Sequence, residues 1–277
     1  MTPIGKFLLM TLTALALASC AREESVWRYA PEHDKIGRIY YYERSNGDGS
    51  KAERITVFRR DWTHVEVYKE NGRCENAALV TAEMDWTTFS AAKITGGQLQ
   101  PGAQHRAFAF LTWEKAARQL RVLVKLPNME IREDVPIATS PWHLYDFDLA
   151  SLTLATPHLA NPRGDFAFGM ALLWADPSAG DPLTWMGEVS ATYAGEETRR
   201  GFAARRFTLA GSALSGERST GNAGALWLDA ADGHVVEASF PVPNHPGYRD
   251  MFLKLNKVSD GGEAEWTALL KAHFAGC

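Results

Sequence analysis

The sequence predicts a mainly β protein, a curved antiparallel sheet in barrel or half-barrel form with one C-terminal covering helix. Three observations predict it. Apolar and polar residues alternate with period two along much of the chain, as in His64-Val65-Glu66-Val67-Tyr68. Clusters of Gly, Asn, Asp and Pro interrupt the alternation at hairpin-like intervals. One stretch alone, after residue 260, carries a convincing helical stripe. With 277 residues, 45% of them hydrophobic and 22% charged, the chain has enough apolar surface for a substantial core.

Taken in order, residues 36–44 form an aromatic-rich strand containing Tyr40, Tyr41 and Tyr42. Asn46-Gly47-Asp48-Gly49 supplies the positive-φ residues of a hairpin turn into the next strand, around Ile55-Thr56-Val57-Phe58. Asp61 marks a tight turn into 64–68, and strands at 77–84, 92–99, 106–113 and 119–126 continue the meander. Five residues, 114–118, are too few for a stable helix despite good helix formers, so a hairpin is expected there. Residues 136–162 change character. Leu149, Leu152 and Leu154 among several Thr suit a short helix or an irregular crossover.

Strands resume at 166–174, 183–194, 201–209, 224–229, 235–240 and 248–258, with turn signals at 176–181 and Asp232-Gly233. Asp260 is the expected N-cap of the last helix, with Glu263 three residues on. Trp266, Leu269, Leu270 and Phe274 then lie on one stripe before Gly276. A sheet of about a dozen strands must cover a face and blunt its edges, which favours curling. The β-rich domain is expected over 34–277, divisible into halves at 34–135 and 163–277.

The N-terminus fixes the compartment. Lys6 precedes a short apolar run, 7–18, well below the roughly 20 residues that span a bilayer, so 1–19 reads as a signal peptide. Leu17-Ala18-Ser19-Cys20 resembles the bacterial lipobox, in which the cysteine sulfur is acylated; the alternative is ordinary cleavage with Cys20 as a bystander. The resemblance implies an outer-membrane-type lipoprotein: Ala21 after the cysteine is similar to the outer-membrane sorting choice. Two or three acyl chains would anchor it stably. Residues 20–33 then serve as a lipidated tether, and the protein would face the periplasm.

In that oxidising compartment Cys74 and Cys277 can pair, or stay as two thiols. A net charge of −4 excludes the basic surplus of a nucleic-acid binder.

Three segments of the second half carry a further resemblance: Tyr193-Ala194-Gly195-Glu196-Glu197, Gly201-Phe202-Ala203-Ala204-Arg205-Arg206-Phe207, and Leu226-Trp227-Leu228-Asp229-Ala230-Ala231-Asp232-Gly233-His234-Val235-Val236-Glu237. Over 185–258 the chain resembles a family of bacterial envelope β-domains of unknown function, similar in outline to the lipoprotein-carrier half-barrels. The resemblance implies the fold and binding of a lipid or another envelope component. It supplies no catalytic residue.

Chemical motifs are sparse. The G-x-S-x-G elbow, the P-loop and the dinucleotide fingerprint are absent, so no catalytic residue and no cofactor is assigned. The eight histidines form no H-x-H or H-E-x-x-H, and no metal site is expected. His143 with Asp146 and Asp148 is the best local cluster, more simply a loop with Asp caps. Arg199-Arg200 and Arg205-Arg206 suit either anionic headgroups or a solvated strand edge. Aromatic residues are the remaining signal. Phe108 and Phe110, expected on one strand face, and Trp142, Tyr145, Trp185 and Trp227 either wall a cavity for an apolar ligand or fill the core. The expected role is non-catalytic binding of an apolar ligand or envelope partner; the alternatives are a structural or assembly lipoprotein, or an envelope hydrolase.

Overall fold

The computed structural model describes residues 26–174 and 183–277. The signal segment, Cys20 and the turn at 176–181 lie outside the described residues. Among the described residues fifteen strands form one sheet: β1 (Ile39–Ser45), β2 (Glu53–Arg59), β3 (His64–Glu70), β4 (Ala77–Asp85), β5 (Ser90–Gln100), β6 (Gln104–Glu114), β7 (Gln119–Leu126), β8 (Met129–Pro136), β9 (Trp142–Leu144), β10 (Phe166–Leu173), β11 (Leu183–Arg199), β12 (Phe202–Ala210), β13 (Gly224–Asp229), β14 (Val235–Phe240) and β15 (Met251–Ser259). The helices are α1 (Ala150–Ala155) and α2 (Gly262–Ala272). None of them is long and apolar enough to cross a membrane.

The spatial order runs from β8 back to β1, then from β15 back to β9, so the sheet is one open curved meander. Every neighbouring pair is antiparallel except β9 with β10. The pairing of β1 with β15 joins the N- and C-terminal halves into one sheet, with Ile39 opposite Ser259 and Ser45 opposite Phe252.

Alternation explains the layering. On the concave face Tyr40, Tyr42, Ile55, Val57, Val65 and Val67 join a core that also contains Phe168, Phe207, Leu226 and Leu253 from the other half. On the convex face Ile39, Phe58, Tyr68 and Leu79 pack with Trp266 and Leu270 of α2. The covering helix is therefore where its stripe predicts, with Trp266 stacked on Phe58 at 5.3 Å. Its start differs from expectation. Gly261 is the N-cap and makes no side-chain capping bond, while Asp260 instead accepts Arg38 Nε at 2.9 Å. An ion pair to a neighbouring strand competes successfully for that carboxylate. The far end of α2 is tied to the β3–β4 turn by a Cys74–Cys277 disulfide, with Cα atoms 5.7 Å apart.

Three further features depart from the sequence pattern. Residues 129–136 form edge strand β8, which alternation did not mark because Glu133 interrupts the face on which Ile131 and Val135 pack, and both are only partly covered. The segment 142–159 enters the hollow of the sheet: β9, a 3-10 turn at Tyr145–Phe147, and α1, all six of whose residues are buried. Finally, part of the stretch 20–33 expected as a tether is packed on the body. Trp27 bridges Leu159, Arg28 N donates to His158 O at 2.9 Å, and Tyr29 stacks on Trp86 at 5.2 Å. Two aromatic rings hold the chain to the body from Val26 onward.

Candidate functional site

The sheet has two rims. One carries residues 26–38 and the β2–β3 and β4–β5 turns; the opposite rim carries the β1–β2 and β7–β8 turns and the 241–250 loop. Near the second rim the concave apolar rows of β1, β2 and β3 end in charged residues. Arg44 continues the Tyr40–Tyr42 row, Glu53 precedes Ile55 and Val57, and Lys69 follows Val65 and Val67. Arg44 and Glu53 are direct cross-strand partners and form an ion pair.

Segment 142–159, which plugs the hollow of the sheet, supplies the counter-charge. Asp148, with no exposed side-chain surface, lies 3.0 Å from Arg44 Nη1 and 2.6 Å from Lys69 Nζ, and accepts Asn244 Nδ2 at 2.8 Å. Its backbone is left-handed at φ 51°, and so is that of Leu149 at φ 60°. Asp tolerates that region; a buried Leu there stores strain that the surrounding packing must hold. The double turn points the carboxylate at two cations that the strands have already placed.

Asp146 also turns inward. Its Oδ1 accepts Leu173 N at 3.2 Å, and its backbone carbonyl accepts Lys69 Nζ. Burial raises its pKa to about 6 although Lys69 opposes the shift. Asp148 moves the other way: burial disfavours its charge, yet Arg44 and Lys69 hold its carboxyl well below the usual range. Burial, with Lys69 and Arg44 nearby, depresses His245 to about 3, and its Nε2 has no hydrogen-bond partner. Three residues singled out from sequence, Asp146, Asp148 and His245, thus converge; His143 and His234 lie elsewhere.

Tyr248 connects this cluster to the surface. Arg44 stands 4.7 Å over its ring, and its hydroxyl donates to Lys51 O at 2.9 Å. The outer side of Tyr248 lines an open cleft of about 430 Å³ with Trp174, Arg218, Thr220, Pro243, Gly247 and Arg249. Arg218 lies 4.3 Å over the Trp174 ring. The cleft therefore presents two aromatic side chains and two guanidinium groups, Arg218 over Trp174 and Arg249 already paired with Asp48 at 2.5 Å, a combination suited to an amphiphile with an anionic head.

The expected aromatic wall is distributed differently. Trp142 and Tyr145 are fully buried in the main core, with Tyr145 OH donating to Val242 O at 2.8 Å. Trp185 packs against that core and covers Gly169 so closely that a Cβ there would lie 2.1 Å from its ring. Phe108 and Phe110 do not share a face. A register shift between Gly96 and Gly97 leaves Phe108 without a cross-strand partner and against the main core. Phe110 lines a separate groove of about 350 Å³ with Arg121, Leu123 and Arg132. Trp227 belongs to a third cluster with Ala204 and Val236, flanked by Arg199 at 4.5 Å and Arg206 at 5.8 Å. Arg199 is also paired with Glu237, and Arg205 donates to Asp229 O at 2.7 Å, so these arginines have partners within the fold.

Metal-ligand spacing occurs at a place that sequence reasoning did not mark. Asp229, Asp232 and His234 bring ligand atoms within 4.8 Å of one another. Asp232 is already paired with Lys35 at 3.1 Å and Arg38 at 2.5 Å, and Asp229 Oδ1 accepts two backbone N–H groups of its own turn. Two cations already neutralise Asp232, so a metal ion there would have to displace them. His143, in turn, bonds Ser151 Oγ at 3.0 Å and lies against Phe168, so it joins no metal-type group with Asp146 and Asp148.

No protein-family model and no curated protein matches this chain. Among solved structures it is similar to the hypothetical lipoprotein YmcC of Escherichia coli, with a TM-score of 0.35 and 11% identity, covering 81% of this chain and 89% of that one. It is also similar to a DUF1329 family protein of Desulfovibrio piger, with a TM-score of 0.23 and 8% identity, covering 82% and 87%. Similarity this loose carries no argument about function.

Proposed function

We propose that this chain is a non-catalytic envelope protein, acylated at Cys20, outer-membrane-bound and periplasm-facing, whose folded body binds an envelope amphiphile with an anionic head. The cleft of Trp174, Arg218, Tyr248 and Arg249 is the proposed binding place. The carrying observation is that the chain's own segment 142–159 packs inside the sheet, while this cleft keeps ligand-scale space beside aromatic and cationic groups. The buried Arg44–Asp148–Lys69 cluster supports the reading as a rigid floor, because Tyr248 rests on Arg44.

The probe is 1-anilinonaphthalene-8-sulfonate, an aromatic anion, titrated into the full acylated chain. Saturable binding that is lost in Arg218→Ala and Tyr248→Ala supports the proposal. Binding unchanged in both variants overturns the cleft assignment.

A hydrolase is the second reading, favoured by one observation: two neighbouring carboxyls, Asp146 and Asp148, are driven to opposite pKa values beside His245. Asp148 is spent on Arg44, Lys69 and Asn244, which suits a structural ion cluster better than an available base. Turnover of an ester or glycan substrate that is abolished by Asp146→Asn would establish the second reading instead.

A further inference from the structure

Five large hydrophobic side chains are exposed among the described residues: Val26 at 46%, Ile36 at 57%, Trp62 at 59%, Leu126 at 38% and Met129 at 39%. Single exposed apolar residues are ordinary, but these are not scattered. The three most exposed lie at the rim where the chain arrives from its N-terminus. Leu126 and Met129 lie at the opposite rim, at the tip of the β7–β8 hairpin.

Contacts among their neighbours place the first three on one rim. The Trp62 carbonyl accepts Trp86 Nε1 at 2.8 Å and Arg59 Nη2 at 2.7 Å. Trp86 stacks on Tyr29, three residues from Val26. Arg59 also holds Asp34 at 2.6 Å, two residues from Ile36.

The geometry points to this rim as the surface that rests on the lipid bilayer, with Trp62 and Ile36 seated among the headgroups. The inference rests on the proposed acylation of Cys20 and adds an orientation to it. Six residue steps separate Cys20 from Val26, which at full extension span at most about 21 Å. The eleven residues of β5 run between the rims for about 35 Å. A chain acylated at Cys20 therefore holds the Val26 rim near the membrane surface, and the opposite rim stands farther off.

Trp is the side chain best suited to that interface, because its ring is apolar and its N–H is polar. The same orientation turns the Trp174–Tyr248 cleft away from the bilayer. It would then meet material in the periplasm, not lipid of the membrane that holds the protein.

The test uses the full acylated chain reconstituted in vesicles of phosphatidylethanolamine and phosphatidylglycerol containing a brominated phospholipid, with tryptophan emission as the readout. Bromine quenching is expected in the parent. It should be lost in Trp62→Phe, and it should not return when Met129→Trp is added at the far rim. Equal quenching in the parent and Trp62→Phe, or quenching restored by Met129→Trp, overturns the orientation.

The intact mass of the extracted parent is measured separately. Absence of acyl mass on Cys20 overturns the anchor reading whatever the fluorescence shows. Acyl mass without quenching at Trp62 overturns the orientation and leaves the anchor standing.

Discussion

Moderate acid should destabilise this fold steeply, and three buried histidines set the size of the effect. His143 is enclosed by the plug and Phe168, and burial depresses its pKa from 6.5 to about 3. His245 is depressed to about 3, by burial first and then by Lys69 and Arg44. His234, packed 5.0 Å from Tyr40, is depressed by burial to about 4 although Asp229 and Asp232 oppose the shift. All three are neutral in the folded chain near pH 5, whereas the unfolded chain protonates them below 6.5. Stability is therefore intact above 6.5 and is lost as pH falls toward the folded values.

At pH 5 each histidine has cost about 2 kcal/mol, about 6 in total. Asp146 acts in the opposite sense. Its folded pKa of about 6 lies above the ordinary 3.8, so protonation on acidification returns about 1 kcal/mol over the same range. The net loss between pH 7 and pH 5 is about 4 to 5 kcal/mol, a large part of the roughly 5–15 kcal/mol typical of a folded domain. With a urea slope of about 3 kcal/mol per M, the midpoint should fall by about 1.5 M. Urea denaturation followed by tryptophan fluorescence measures it, and His143→Leu should remove about a third of the histidine contribution. A midpoint that stays level or rises between pH 7 and pH 5 refutes the reasoning.

Asp148→Ala leaves Arg44 and Lys69 buried against each other and should cost about 3–5 kcal/mol in urea denaturation, with Asp148→Asn costing less. Gly169→Ala forces a Cβ to within 2.1 Å of the Trp185 ring. It should cost about 1–3 kcal/mol in the same assay, and much of that should return in a Gly169→Ala, Trp185→Leu double variant. Cys277→Ser opens a link between positions 203 residues apart. Its unfolding free energy in the same assay should fall by an amount whose ceiling, set by chain entropy, is about 5 kcal/mol.

The strands were legible because one face of nearly every strand meets a continuous core. β7, β13 and β14 begin and end where alternation places them. β8 was hidden because Glu130, Arg132 and Asp134 alternate with residues that are themselves only partly covered. The start of α2 was misplaced because Asp260 has a better partner in Arg38, 222 residues away, than in the helix it precedes.

The buried ionic cluster could not be seen locally. Its members come from β1, β2, β3, the plug and the 241–250 loop, and only the folded sheet brings them together. A usable signal did exist: Arg44, Glu53 and Lys69 each fall in phase with the core-facing residues of their strand. A charge in that phase must be paired, or its strand must end there. Trp27 and Tyr29 offered a similar clue, since two aromatics in an otherwise polar stretch suit docking better than a tether.

The openness of the sheet and its filled interior have one cause. The two edge strands, β8 and β9, are consecutive in sequence and joined by residues 137–141, yet they do not pair with each other. The link carries the chain from one edge into the hollow, where β9 and α1 become core. A ladder joining β8 to β9 would seal the route by which that segment enters. The edges are protected by other means. β8 exposes paired charges, Arg132 with Glu130 at 2.7 Å and Arg121 with Asp134 at 3.4 Å, which discourage another chain from adding a strand. β9 is only three residues long, is buried throughout, and has Trp142 N bonded to Ser90 Oγ at 2.9 Å. A half-barrel that supplies its own filling gives up the enclosed cavity, and the ligand-scale clefts beside Tyr248 and Phe110 lie on its outer surface.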